Sequence, residues 1–227
     1  MNMYFSNIRV VSPVQGIDAR KNVWIVDGVI RYVGDETPEL ESQAQHIKAT
    51  DLVMCPGLFD MHVHLREPGQ THKETIETGT ASAANGGFTG VVCMPNTEPS
   101  IDSVATIEYI QTRARKTPVD VHVCATITAS RAGTELAAMQ TLADAGAVMF
   151  SDDGSCVSSA EMMRRAFDYG SEIDALMTQH CEEHSMTKNY AMHEGKVSAE
   201  LGLRGYPSVA EDIIVARDIL LAEYCGN

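Results

Sequence analysis

The stretch LFDMHVHLREPG, residues 58–69, begins as an apolar, strand-like run and ends in two histidines and an arginine. From here onward, strand-like and helix-like segments alternate along the chain. The predicted strands are residues 58–64, 88–95, 119–127, 147–151 and 174–180. The predicted helices are residues 74–84, 103–116, 134–145, 158–169 and 208–224. Five β-α units in succession predict a parallel sheet, either a doubly wound sheet or a (β/α)8 barrel.

Capping-box patterns mark the predicted starts of two of these helices. Ser158 is followed by Glu161, and Ser208 is followed by Glu211. In such a box the serine side chain accepts a backbone N–H of the first turn, and the glutamate reaches back to the serine N–H. We therefore expect Ser158 and Ser208 to begin their helices.

The residues before this stretch predict a different structure. Strand-like segments cover residues 3–12 and 23–34, and the Asp27-Gly28 pair inside the second is typical of a two-residue hairpin. A third segment, residues 46–57, ends at a Pro-Gly pair. We expect a small antiparallel β unit over residues 1–54, forming part of a β-sandwich, and a barrel-like α/β domain over residues 55–227.

Composition excludes several classes of function. The formal net charge is −14, and the 17 lysines and arginines form no run, which argues against a nucleic-acid partner. No apolar stretch approaches the ~18 residues of a membrane span, and the N-terminus lacks a signal-peptide pattern. The six cysteines form no CxxC pair, so reduced core thiols are expected. These features predict a cytoplasmic protein that does not bind membranes.

Polar residues at the predicted strand ends indicate a metal site. His62 and His64 are two residues apart, so on an extended segment both rings point the same way. Asp153 follows the fourth strand and His180 ends the fifth, and zinc binds imidazole and carboxylate donors. The alternative for Asp153 is a turn or capping role, which fits Asp152 better. A histidine that ends a strand, such as His180, is commonly a core residue.

Two further residues suit an anionic substrate. Arg66, just after the histidines, offers a bidentate cation for a carboxylate, with surface pairing as the alternative. Asn96 offers an amide at the next strand end, where a simple turn residue is the alternative. The remaining histidines are interpreted as structural or surface residues, and these include His72, His122, His184 and His193.

Several motifs, taken in order, resemble a known family. They are DMHVHLREPG, ETGTASAANGGFTGVVCMPNTEPSID, FSDDG, QHCEE and ELGLRGYPSVAED. Together they resemble the bacterial class I dihydroorotases of the amidohydrolase superfamily. The resemblance implies a TIM-like (β/α)8 barrel and a small β-sandwich built from both chain ends. It also implies a metal-dependent hydrolase that interconverts N-carbamoyl-L-aspartate and (S)-dihydroorotate in pyrimidine biosynthesis.

The resemblance also implies roles for the strand-end residues. His62 and His64 would bind a first zinc ion (Zn2+), Asp153 would bridge to a second, and His180 would bind the second. His64, Arg66 and Asn96 would hold the carboxylate of a small-molecule substrate. Hydantoinases and allantoinases bridge their metals with a carboxylated lysine, but no lysine lies between Lys116 and Lys188. This departure favours a dihydroorotase over those relatives.

The resemblance further implies a sixth-strand histidine and an eighth-strand catalytic aspartate, and the sequence stops at Asn227 before either. We therefore expect a truncated chain with about five β-α units, one bound zinc ion or none, and little activity on its own. The alternative function is a non-catalytic scaffold subunit for aspartate carbamoyltransferase. Association with that enzyme or with further copies of this chain are the partners considered.

Overall fold

A computed structural model describes residues 1–40 and 43–227. Contacts divide the chain into two compact units, residues 1–57 and residues 58–227. Each unit has a hydrophobic core of its own, with Ile8 and Val23 in the first and Ile107 and Phe150 in the second. Assignment of the first unit to a β-sandwich stays a prediction.

The first unit is a five-stranded sheet with a meander at its start. Three antiparallel strands run in order, β1 (Asn2–Ser12), β2 (Ile17–Val26) and β3 (Val29–Gly34). The predicted hairpin between β2 and β3 is confirmed, because Asp27 and Gly28 both adopt positive φ angles, 49° and 79°. Positive φ angles at both central residues are the mark of a type I′ turn, whose backbone twist matches that of the two flanking strands.

The expectation of a wholly antiparallel unit is wrong. Two short strands, β4 (Gln45–Lys48) and β5 (Val53–Met54), pair with β1 in parallel. The physical reason is that β2 already occupies one edge of β1. The following segment pairs with the other edge of β1, and it runs there in the direction of β1.

The second unit is built on a parallel sheet of four strands in the order β6-β7-β8-β9. These strands are β6 (Leu58–Val63), β7 (Phe88–Cys93), β8 (Asp120–Ala125) and β9 (Ala147–Phe150). Helices separate or follow them: α1 (Ile76–Asn85), α2 (Val104–Ala114), α3 (Met139–Asp144) and α4 (Ala160–Glu172). Residues 91–93 of β7 are all buried, as expected for a parallel strand that is covered on both faces. The predicted parallel β/α architecture is confirmed.

The remainder of this unit contains two short strands and two helices. The strands, β10 (Met192–His193) and β11 (Gly205–Tyr206), pair in parallel, and the helices are α5 (Lys196–Leu201) and α6 (Val209–Cys225). Helix α6 packs against α4. No helix within residues 1–40 and 43–227 is long and apolar enough to cross a membrane.

The predicted helix over residues 134–145 is confirmed only in its second half, where α3 lies. Residues 128 and 136 instead form an antiparallel bridge, and Ala129 N donates to Glu135 O at 2.9 Å. Ala137 N donates to Ile127 O at 2.9 Å. These long-range backbone bonds use the groups that a helix would need, so the segment forms a small hairpin before α3 begins.

Neither predicted capping box forms. Ser159 is the N-cap of α4, and its side chain accepts the Met162 N–H, while Glu161 pairs with arginines of its own helix. Ser208 already has helical φ and ψ angles, −56° and −33°, and makes no side-chain cap bond. A serine in a helical conformation cannot turn its hydroxyl back to the first free N–H groups.

The predicted fifth strand, residues 174–180, is reduced to a single bridge. Met177 pairs in parallel with Phe150, supported by hydrogen bonds from Phe150 N to Leu176 O and from Thr178 N to Phe150 O, each 2.9 Å. The neighbouring strand β9 has only four residues, so it offers little length for a longer ladder. The segment nevertheless runs beside β9 and delivers His180 to the same edge.

Candidate metal centre

Strand β6 positions the two histidines. His62 lies within β6 and His64 follows its last residue, so the alternation of side chains along an extended strand places both rings on one face. Their ring centroids are 5.2 Å apart. His62 Nε2 lies 3.2 Å from Asp153 Oδ1, and His64 Nε2 lies 3.7 Å from Asp153 Oδ2. The two rings therefore face one carboxylate.

Asp153 forms the middle of this group. It follows β9, and its side chain is only 6% exposed. One donor atom from each of His62, His64 and Asp153 lies within 4.8 Å of the others. Two imidazole nitrogens and a carboxylate oxygen are a donor set that catalytic zinc sites use, with a further position left for water or substrate. The residues therefore fit a divalent zinc-type ion.

His180 approaches from the segment beside β9. Its Nδ1 lies 3.7 Å from Asp153 Oδ1, and its Nε2 lies 3.0 Å from Glu182 Oε2. It does not belong to the compact group of three, and it reaches that group through Asp153 alone. Asp153 thus lies between the β6 histidines on one side and His180 on the other.

Asn96 lies inside the site. Following β7, its Oδ1 is 2.9 Å from His64 Nδ1, and its Nδ2 donates to Asp153 Oδ2 at 3.0 Å. The carboxamide therefore connects the end of β6 to the loop after β9. Its predicted substrate contact stays a prediction, because both polar atoms engage protein groups in this structure.

Arg66 lies close to the histidines in the chain but makes no polar contact with them. Its backbone has a φ of 59°, and its carbonyl accepts the Gln70 N–H at 2.9 Å. The residue is half-buried, and within the described residues no hydrogen bond or ion pair engages its guanidinium. The alternative of a surface ion pair is therefore not what the structure shows, and the five N–H donors are uncommitted.

The charges of the group favour an ionised Asp153. Burial raises the pKa of this carboxyl, but the polar contact with His180 and the proximity of His62 and His64 lower the pKa by a larger amount, so the net shift is downward. The pKa of His180 is raised, first by its polar contact with Asp153 and, against the opposing effect of burial, by its hydrogen bond with Glu182. Asp153 is thus a carboxylate at neutral pH, which is the form that binds a cation.

The neighbouring Asp152 has a different role. Its side chain accepts the backbone N–H of Ile127 at 2.9 Å, the N–H of Thr128 at 3.0 Å and the Thr128 hydroxyl. Burial raises the pKa of Asp152 despite these bonds. The interpretation of Asp152 as a structural residue agrees with this geometry, since it anchors the loop after β8.

Two residues that the sequence interpretation missed support the site. Arg131 Nη1 donates to the backbone carbonyl of Asp153 at 2.7 Å, and its Nε donates to Ser100 Oγ at 3.2 Å. Glu182 contacts His180, as described above. In the sequence, the only sign of a role for Glu182 is its closeness to His180 in QHCEEH. Arg131 lies in a short 3-10 turn, and no sequence pattern pointed to its role.

A cavity of about 720 Å³ lies elsewhere in this unit, lined by residues of α4, α6 and the segment between them, including Met163, Met177, Cys181 and Asp218. His62, His64 and Asp153 do not line it. The chemistry of the donors, rather than cavity size, therefore locates the candidate site.

Comparison with known proteins adds independent information. Residues 51–227 match the profile of a protein family described as dihydro-orotase-like. The chain is 46% identical over 227 residues to a dihydroorotase of Pelotomaculum thermopropionicum, and 47% identical to one of Citrifermentans bemidjiense. Each alignment covers 100% of this chain and 53% of the relative. The chain therefore spans about half the length of the curated relatives that it matches.

Solved structures support the fold assignment. An L-hydantoinase from Arthrobacter aurescens superimposes with a TM-score of 0.79 at 19% identity, covering 99% of this chain and 51% of that one. A D-hydantoinase gives a TM-score of 0.75 at 21% identity, covering 100% of this chain and 51% of that one. At such identities the similarity shows the fold alone. The second unit thus has the fold of the corresponding part of these hydantoinases, that is, of an incomplete TIM-like barrel.

Proposed function

The chain belongs to the dihydro-orotase-like family, and we propose that it carries the first metal-binding half of a dihydroorotase. That enzyme would interconvert N-carbamoyl-L-aspartate and (S)-dihydroorotate, a reversible cyclic amide hydrolysis. The observation that carries the proposal is the meeting of His62, His64 and Asp153 at the strand ends. It occurs in a chain that is 40–47% identical over its whole length to curated dihydroorotases.

We propose zinc as the metal of this centre, with His62, His64 and Asp153 as the residues that would hold one ion and with His180 as a ligand of a second. A bound ion would supply a Lewis acid and would activate a water at neutral pH. Asn96 fixes His64 through Nδ1, so Nε2 remains free to face Asp153. The buried position of Asp153 keeps bulk water from its carboxylate.

We propose that Arg66 binds the substrate carboxylate. Its guanidinium is uncommitted among the described residues, and a planar guanidinium can pair with a carboxylate through two parallel hydrogen bonds. Such a clamp would orient the ring so that its amide carbon meets the metal centre, which is the positioning contribution to catalysis. His64 and Asn96 complete the carboxylate site in this proposal.

The competing functions are less consistent with the residues. A hydantoinase or allantoinase of the lysine-bridged type has no candidate lysine between Lys116 and Lys188, and Asp153 occupies the central position instead. A non-catalytic scaffold subunit would have no need for a gathered donor set. Association with aspartate carbamoyltransferase or with other copies of this chain, and a cytoplasmic location, stay predictions from the sequence.

A chimera tests the proposed activity. It joins residues 1–227 to the remaining half of the Pelotomaculum thermopropionicum relative, and its folding is checked by size-exclusion chromatography. We expect turnover of dihydroorotate that is lost in the Asp153→Asn variant and retained in Asp168→Asn, an exposed aspartate of α4. A folded chimera that hydrolyses hydantoin but not dihydroorotate would contradict the proposal.

A further inference from the structure

Glu182 is a largely buried carboxylate that contacts one of the proposed metal ligands. Its side chain is only 13% exposed. One oxygen, Oε2, lies 3.0 Å from His180 Nε2, and the other, Oε1, accepts the Thr187 hydroxyl and lies 3.4 Å from His184 Nδ1. Thr187 is itself buried. The carboxylate is therefore held between a fixed hydroxyl and two imidazoles.

Hydrogen-bonding rules then assign the proton on each of these rings. An ionised carboxylate only accepts hydrogen bonds, so His180 must carry its proton on Nε2. The same rule places a proton on His184 Nδ1, and the Cys156 N–H then donates to His184 Nε2 at 3.4 Å. His184 thus has both nitrogens engaged within the protein and does not compete with His180 for an ion.

In the neutral imidazole, which is the form that binds a metal, this assignment leaves His180 Nδ1 with its lone pair, and Nδ1 is the atom that faces Asp153 Oδ1 at 3.7 Å. His64 shows the reverse arrangement, because Asn96 Oδ1 takes its Nδ1 proton and Nε2 faces Asp153. Each ring therefore turns a different nitrogen toward Asp153, and in each case a neighbouring acceptor fixes which one. A metal-binding histidine commonly has its other N–H held by a carboxylate or carbonyl in this way.

We propose that Glu182 is a positioning residue for the metal centre, holding His180 by Nε2 so that Nδ1 is presented toward Asp153 and a bound ion. Thr187 fixes the glutamate, so the series Thr187-Glu182-His180 acts as one unit. The inference rests on the proposed function, because it assumes that His180 is a ligand. It adds a residue whose effect is exerted through another side chain and not by contact with substrate.

The first experiment measures zinc affinity of the 227-residue chain by competition with a chromophoric chelator. The contribution of His180 is defined as the difference in zinc affinity between the wild type and His180→Gln. We expect Glu182→Leu to weaken this component by roughly 10–100-fold, the usual loss for such a partner. Glu182→Gln keeps an acceptor oxygen and should restore most of it.

Glu183 provides the matched control. It is adjacent to Glu182, its carboxylate accepts the Ser185 N–H, and among the described residues it makes no hydrogen bond or ion pair with His180. We expect Glu183→Leu and Glu183→Gln to bind zinc as the wild type does. The positioning role is wrong if the zinc affinity of Glu182→Leu lies within twofold of the wild type while that of His180→Gln is clearly lower.

A second readout needs no metal. In a chain with ¹⁵N-labelled histidine, the His180 Nε2–H should give a slowly exchanging, downfield proton resonance, identified by its absence in His180→Gln. We expect Glu182→Leu to lose this resonance and Glu183→Leu to keep it. If the resonance persists in Glu182→Leu, the inference is overturned. If the wild type and His180→Gln bind zinc identically, the proposed ligand role of His180 fails, and the resonance alone decides whether Glu182 holds the ring.

Discussion

Substitutions of the two adjacent aspartates in SDDG, Asp152 and Asp153, should affect different properties, the stability of the fold in one case and metal binding in the other. Asp152 turns toward the loop after β8, where it accepts two backbone N–H groups and a hydroxyl, while Asp153 turns toward the histidines. Substitution of Asp152 should therefore destabilise the fold, and substitution of Asp153 should remove metal binding. The same residue type, one position apart, gives each variant its own control.

The size of the first effect follows from the hydrogen bonds. Ile127 and Thr128 are both 0% exposed, so Asp152→Ala leaves two fully buried N–H groups without their acceptor. Each such group costs about 1–3 kcal/mol, or about 2–6 kcal/mol together, against a typical total stability of about 5–15 kcal/mol. Asp152→Asn keeps one carbonyl oxygen for both N–H groups, so it should lose only about 1 kcal/mol.

Urea denaturation followed by circular dichroism measures these differences, and chelator competition measures zinc. We expect Asp153→Asn to unfold at a urea concentration only slightly below that of the wild type, because the net downward pKa shift means that the ionised carboxylate modestly favours the folded protein. Its zinc affinity should fall by more than the roughly 10–100-fold that loss of an outer hydrogen-bond partner costs. Equal stability of wild type and Asp152→Ala, or equal zinc affinity of wild type and Asp153→Asn, would refute the separation.

Three further predictions concern other parts of the molecule. Burial raises the pKa of the Cys93 thiol to about 12, so at pH 8 iodoacetamide should modify exposed Cys55 rapidly and Cys93 only after unfolding, as peptide mass analysis would show. Hydrogen bonds and charge from two arginines lower the pKa of Glu161 from 4.5 to about 2, so its stabilising effect exists above pH 4.5 and is lost as pH falls toward 2. The melting-temperature difference between wild type and Glu161→Gln should shrink over that interval, and a constant difference would be contrary to this. Gly69→Ala should destabilise more than Gly133→Ala in thermal melts, because both have positive φ but only at Gly69 would the new Cβ overlap the backbone of Glu98.

Much of the metal centre was predictable because it follows from strand geometry. The two-residue spacing of His62 and His64 fixes their common face, and parallel strands bring the residues after β7 and β9 to the same edge. That reasoning gathers Asn96 and Asp153 without any knowledge of distances. It also placed His180 correctly at that edge, although the strand expected to carry it is a single bridge.

The two errors in secondary structure have a common cause, namely backbone hydrogen bonds to residues that local sequence patterns do not identify. Residues 134–138 have a helix-compatible composition, but bonds to residues 127 and 129 draw them into a hairpin. The pairing of β4 and β5 with the far edge of β1 depends on which edge is free, and no local pattern encodes that. Glu182 was missed for a different reason, because its contacts with His180, His184 and Thr187 are local but depend on the conformation of the turn after His180.

Asp153 shows how the fold prepares the centre before any ion binds. Its carbonyl is held by Arg131, its Oδ2 by Asn96, and its Oδ1 faces His62 and His180. Because backbone and side chain are both restrained, the carboxylate cannot rotate away from the rings without breaking bonds on two sides. The entropy lost in fixing this carboxylate is therefore lost when the chain folds and not when an ion binds, so the site is preorganised. Every contact in this network lies within residues 58–227, so the geometry of the centre depends on the packing of that unit.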